Sequence, residues 1–121
     1  MNDATATRME AACSLLAESQ RRYLLYQLAE RGGGNVEDLV TEIAAWERDV
    51  RPDQVDKEIR QQIYVSLVHN HLPRLADYGI IDYDLRSGDI VLDDGFEDIK
   101  PLLEQFRQTE EDPELRQLSS L

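Results

Sequence analysis

The positions richest in chemistry lie between residues 60 and 74: Arg60, Gln61, Gln62, Ser66, His69, Asn70, His71 and Arg74. Gln and Asn match the donor and acceptor edge of adenine, and the arginine fork matches guanine or phosphate. The set therefore suits reading base edges and holding a backbone. Arg86 is a further cation, set among Asp82, Asp84, Asp89, Asp93 and Asp94. Catalytic chemistry is poorly served. His69 and His71 could begin a zinc site with Cys13 or a nearby Asp, but two residues apart on a helix they point about 200° away from each other. The aspartate pairs have no base, nucleophile or anion hole beside them and read as solvated carboxylates. Gly32-Gly33-Gly34 lacks the Lys-Ser/Thr of a phosphate loop and reads as a flexible helix terminator. No catalytic residue, metal or cofactor is expected, and the chain reads as a non-enzyme.

Charge sharpens this picture. The 121 residues carry a formal net charge of −12, from 13 Lys and Arg against 25 Asp and Glu, and the only lysines are Lys57 and Lys100. Residues 1–56 sum to −5, residues 57–78 to +1 and residues 79–121 to −8. A carboxylate-crowded surface repels itself unless salt screens it, with a Debye length of about 3 Å at 1 M. Acidity with so little lysine predicts a halophilic source. Cys13 is the sole cysteine, which excludes an internal disulfide and suits a reducing compartment. No apolar run approaches the roughly 20 residues that cross a bilayer, and Met1-Asn2-Asp3 does not begin a secretory signal, so a cytoplasmic location is expected.

The length suits one domain with a single core. Met9, Ala12, Cys13 and Leu16 recur at helical spacing within residues 4–17. Ser19 offers an N-cap to a run holding Tyr23, Leu24, Leu25 and Leu28. Asn35 caps a second core helix whose expected buried stripe is Leu39, Val40, Ile43 and Trp46. Pro52 or Asp53 opens a long third helix with Val55, Ile59, Ile63 and Leu67 every four residues, and Pro73 predicts a kink or restart near His71. Gly79 ends it. Residues 80–85 and 90–92 form a β-hairpin around Arg86-Ser87-Gly88-Asp89. Asp94 to Asp98 can cap a last helix bearing Phe96, Ile99, Leu102, Leu103 and Phe106, provided that Pro101 falls in its first turn, and residues 110–121 read as a frayed, flexible tail.

Three helices, a hairpin and a further helix is the order of a winged helix-turn-helix, in which one helix enters the major groove and the hairpin leans on the backbone. The fold class expected is thus mainly α with a β-hairpin: an N-terminal helical arm over 1–18, the winged-helix domain over 19–95, and a C-terminal helix over 96–109. The run His71-Leu72-Pro73-Arg74-Leu75-Ala76-Asp77-Tyr78-Gly79-Ile80-Ile81 resembles the junction between recognition helix and wing in ArsR-like regulators. Gln20 to Leu28 resembles the first core helix of that group. The chain is also similar to a haloarchaeal family of small winged-helix domains of unknown function that carry a His-x-His-Leu-Pro-(Lys/Arg)-Leu run. The resemblance spans residues 19 to 95 and implies a winged-helix fold and a regulatory role in a halophilic archaeon. It departs in the longer third helix with its internal proline.

Two functions follow as expectations. One is a DNA-binding transcriptional regulator that uses Arg60, Gln61, Gln62, Ser66, His69, Asn70, His71, Arg74 and Arg86. It would form a homodimer through the terminal stripes of Met9, Cys13, Leu16, Ile99, Leu102, Leu103 and Phe106. The other is a winged-helix adaptor that binds protein through Tyr64, Val65 and the acidic wing. Val65 suits either a thymine methyl or a protein groove.

Overall fold

A computed structural model describes residues 3–111. Helix α1 spans Asp3–Leu16, α2 Ser19–Arg31 and α3 Val36–Arg48, with the short strand β1 (Gly34–Asn35) between α2 and α3. A 3-10 turn at Pro52–Gln54 precedes α4 (Lys57–Ser66), which continues through a π-helical turn (Leu67–His71) into α5 (Leu72–Asp77). Strands β2 (Ile81–Tyr83) and β3 (Asp89–Leu92) follow, and α6 (Phe96–Glu111) closes the described chain. The molecule is mainly helical, with an antiparallel sheet in the order β1-β3-β2. Among the described residues, no helix is long and apolar enough to cross a membrane.

Local chemistry sets several boundaries. The α2 helix ends where Gly32 adopts the left-handed conformation and donates its N–H to Leu28 O at 2.8 Å. Its N-cap is Glu18 rather than Ser19. Asn35 caps α3 as expected, its side chain accepting from Glu37 N–H at 3.0 Å. The glycine run is not merely a terminator, because Gly34 pairs with Ile90 and Asn35 with Asp89. Nor does the third helix open at Pro52: that proline starts only the 3-10 turn, and Asp56 caps α4 by accepting from Ile59 N–H at 2.8 Å.

The core gathers Leu24, Leu25 and Leu28 of α2, Leu39 and Ile43 of α3, and Leu67, Leu72 and Leu75 of the third helix, all at or near zero exposure. Ile81 and Ile90 seal it from the sheet. Burial of each such side chain contributes on the order of 2 kcal/mol against exposure. Trp46 departs from the expected stripe. It stays 39 % exposed and stacks on Tyr23 with ring centroids 4.7 Å apart, covering the α2–α3 edge rather than filling the core.

The terminal helices complete this core. In α1 the buried side is Leu15 and Leu16 with Ala11 and Ala12 half-buried, so Met9 and Cys13 fall on the exposed side. Leu16, Ile99 and Leu103 are buried within the chain's own core, and Leu102 and Phe106 are half-buried against it. That corrects the expectation of uncovered stripes for Leu16, Ile99 and Leu103, while Met9 and Cys13 stay exposed. Pro101 lies beyond the first turn of α6, and Glu110 and Glu111, expected in a frayed tail, extend that helix. The rest of the expected tail lies outside the described residues. At the entry to α6, Gly95 donates to Gly79 O at 2.9 Å, so close that a Cβ would lie 2.6 Å from that oxygen.

Candidate nucleic-acid interface

The third helix presents its chemistry in two exposed stretches. Gln61, Gln62 and Val65 stand out from α4; His69 and Asn70 follow on the π turn, and Arg74 on α5. The apolar side carries Ile63, Leu67, Leu72 and Leu75 inward, leaving these polar groups free to meet a ligand. Pro73 sits in the first turn of α5, where no N–H is required. The restart expected near His71 is therefore present, as a π turn rather than a sharp kink.

Three expected contact residues are placed elsewhere. Arg60 turns back to α3, its Nε donating to Thr41 Oγ1 at 3.1 Å and its Nη2 to Glu37 O at 3.1 Å while it pairs with the Glu37 carboxylate. Its charge is spent because the acidic first turn of α3 faces it. His71 is 4 % exposed and bonded inside the core, so it cannot touch a groove. Ser66 is half-buried, its Oγ 3.2 Å from His71 Nε2. The two histidines thus part, one outward and one inward. Among the described residues, no group of His, Cys, Asp and Glu gathers as metal ligands.

The tip of the β2–β3 hairpin is held by several hydrogen bonds. Asp84 Oδ1 accepts from Arg86 N–H at 2.8 Å and from Ser87 N–H at 3.4 Å, and these bonds hold its carboxyl below the usual range. Asn35 Nδ2 donates to Ser87 O and to Asp89 Oδ1, both at 3.0 Å, tying the tip to the start of α3. Gly88 is left-handed at φ 79°, and a Cβ there would lie 2.9 Å from Val36 Cγ1. Arg86 is exposed on this tip beside Leu85, which is 79 % exposed. The base of the β2–β3 hairpin lies near α4: burial and then the neighbouring Tyr64 raise the Tyr83 phenol above its ordinary value.

Sequence reasoning passed over Arg21. It is 4 % exposed, its Nε donating to Leu15 O at 2.6 Å, its Nη2 to Ser14 O at 2.9 Å and its Nη1 lying 3.1 Å from His71 Nδ1. The signal was present in spacing, since Arg21 precedes Leu24, Leu25 and Leu28 by three, four and seven residues and so shares their face. Arg22 also caps α1, donating to Leu16 O at 2.7 Å and Ala17 O at 3.1 Å, and it pairs with Glu110 of α6.

Residues 13–91 match the family model described as a domain of unknown function (DUF7344). No curated protein and no solved structure matches the chain. The matched span runs from within α1 into β3, taking in both the third helix and its buried Arg21–His71 contact, so the chain belongs to the DUF7344 family.

Proposed function

We propose that this chain is a DNA-binding regulator of the winged-helix type, with α4 to α5 as reading helix and β2–β3 as wing. The observation that carries the reading is the order α2, β1, α3, third helix, β2, β3 with the sheet order β1-β3-β2, combined with the exposed face of Gln61, Gln62, Val65, His69, Asn70 and Arg74. Glutamine and asparagine suit adenine, arginine guanine and the valine a thymine methyl. Phosphate attraction contributes little, because the net charge is −12 and Arg60 is neutralised. Specificity therefore rests on base edges. This acidic balance suits work in molar salt, as in a halophilic cytoplasm, and two copies meeting near the exposed Met9 and Cys13 would match two half-sites.

Selection from random duplexes in molar KCl, followed by fluorescence anisotropy, tests the reading. Gln61→Ala, Asn70→Ala and Arg74→Ala each weaken the selected site by about 5- to 150-fold, the worth of a good base contact. Arg60→Ala changes it by less than about threefold. Failure to enrich any sequence overturns the proposal. It would favour the second reading, a protein-binding adaptor, for which the exposed Val65 and Leu85 speak. Sedimentation in the same buffer tests the pairing of copies.

A further inference from the structure

Among the described residues, Arg21 and His71 are the buried polar side chains of the core, and base reading uses neither directly. Every guanidinium nitrogen of Arg21 is engaged: two hold the last carbonyls of α1, and Nη1 meets His71 Nδ1. Arginine nitrogens only donate, so Nδ1 is the acceptor and the ring proton sits on Nε2. There Gln20 Oε1 at 3.1 Å and Ser66 Oγ at 3.2 Å receive it. Among the described residues no carboxylate hydrogen-bonds Arg21; the carbonyl end of α1, the negative pole of that helix, faces its charge together with the nearby Glu18.

His71 closes the π turn, in which Leu72 N–H donates to Leu67 O five residues back. The inward positions Ile59, Ile63, Leu67, His71 and Leu75 recur at intervals of four. In a straight α-helix that interval drifts by about 40° per step, or about 160° over the run. A π turn removes on the order of 90° of it, which returns the later positions to the width of one buried stripe. The exposed residues inherit the same correction.

We propose that Arg21 is a positioning residue: anchored to the end of α1, it holds His71 inward and locks the π turn that brings His69, Asn70 and Arg74 into phase with Gln61, Gln62 and Val65. Its consequence for recognition rests on the DNA reading above; the conformational lock stands without it.

Amide hydrogen exchange of the full chain, followed by NMR in molar KCl, tests the lock. Arg21→Lys keeps the charge but loses the fork, and His71→Leu removes the acceptor. Each accelerates exchange over residues 67–72 about tenfold relative to residues 39–43 of α3, the effect of one buried donor left unpaired. His71→Asn restores an acceptor near Nδ1 and keeps exchange within about threefold of wild type. Acid is an independent probe. The charged groups facing the ring are Arg21 from α2, Arg74 from α5 and Glu18 before α2, with Gln20 and Ser66 as neutral partners. Protonation sets donor against donor at Arg21, so between about pH 7 and pH 5 wild-type exchange at 67–72, corrected for its intrinsic rate, accelerates while that of His71→Asn does not.

Unchanged exchange at 67–72 in Arg21→Lys, or a change in step with α3, overturns the lock. If that variant does not fold, wild-type protein lacking the local acid response overturns it alone. On a selected duplex, Arg21→Lys weakens binding about tenfold and nonspecific DNA less than about twofold. Wild type that selects no duplex defeats the DNA reading only, and exchange still decides the lock.

Discussion

The seam joining α1, α2 and α6 and the outer face of the third helix use polar residues in opposite ways. At the seam, Arg22 bonds two carbonyls of the α1 end and the Glu110 carboxylate, Tyr26 Oη donates to Glu110 at 2.7 Å, and Arg107 pairs with Glu30. Arg22 also lies over the Phe106 ring at 5.1 Å and Arg107 over Tyr26 at 5.5 Å. On the third helix, the Arg74 side chain has no hydrogen bond or ion pair among the described residues, and Gln61, Gln62, His69 and Asn70 point to solvent. Polar groups bonded within the chain build it; polar groups left to solvent at its surface are available to a partner. The same arginine chemistry thus serves assembly at one place and is left exposed to solvent at the other.

The hardest blow to the seam is Arg22→Ala. It leaves Glu110 with Tyr26 Oη as its remaining partner and uncaps α1 in a partly buried setting, and it is expected to cost about 2–3 kcal/mol in denaturant unfolding. A loss below about 0.5 kcal/mol would mean that the seam is decoration. Gly88→Ala probes the β2–β3 hairpin that follows the third helix. A left-handed backbone and contact with Val36 predict about 1–2 kcal/mol of destabilisation by the same measurement.

Tyr26→Phe removes one bond from Glu110 and costs about 1 kcal/mol. It also changes the alkaline limb. Burial and the Glu110 bond raise the Tyr26 phenol far above its ordinary value. A raised folded value means stability that is complete below about pH 10 and lost as pH climbs beyond it. That loss is absent from Tyr26→Phe, which a pH series of melting temperatures checks. The acid side has its own marker. Burial first, then Arg21 and Arg74, lower the His71 value against the opposing Glu18. A depressed value contributes stability present above about pH 6.5 and lost as pH falls toward the folded value, a slope missing from His71→Asn. The smallest effect sharpens the contrast: Gln61→Ala and Asn70→Ala shift stability by less than about 0.5 kcal/mol while acting on binding.

Much of the scaffold was legible. The periodicity of Leu24, Leu25 and Leu28, the Asn35 cap and the hairpin around Arg86-Ser87-Gly88-Asp89 all stand in the structure. Strand β1 was not legible, because two residues carry no alternation and their pairing with Ile90 and Asp89 is nonlocal. Within the site, Gln61, Gln62, His69, Asn70, Arg74 and Arg86 are exposed as expected, whereas Arg60, Ser66 and His71 are drawn inward. Side-chain type cannot tell a free arginine from one that Glu37 neutralises.

Local sequence alone determined several helix boundaries, such as the Asn35 cap of α3 and the Gly32 end of α2, and which segments are acidic, since caps, periodicity and charge act within a few residues. It also held the interval of four that strains a straight third helix. Tertiary structure decided how that strain is relieved and which polar groups remain outside. His71 is inward because Arg21, fifty positions earlier, is itself pinned to the end of α1, and a buried donor must find its acceptor wherever the fold supplies one.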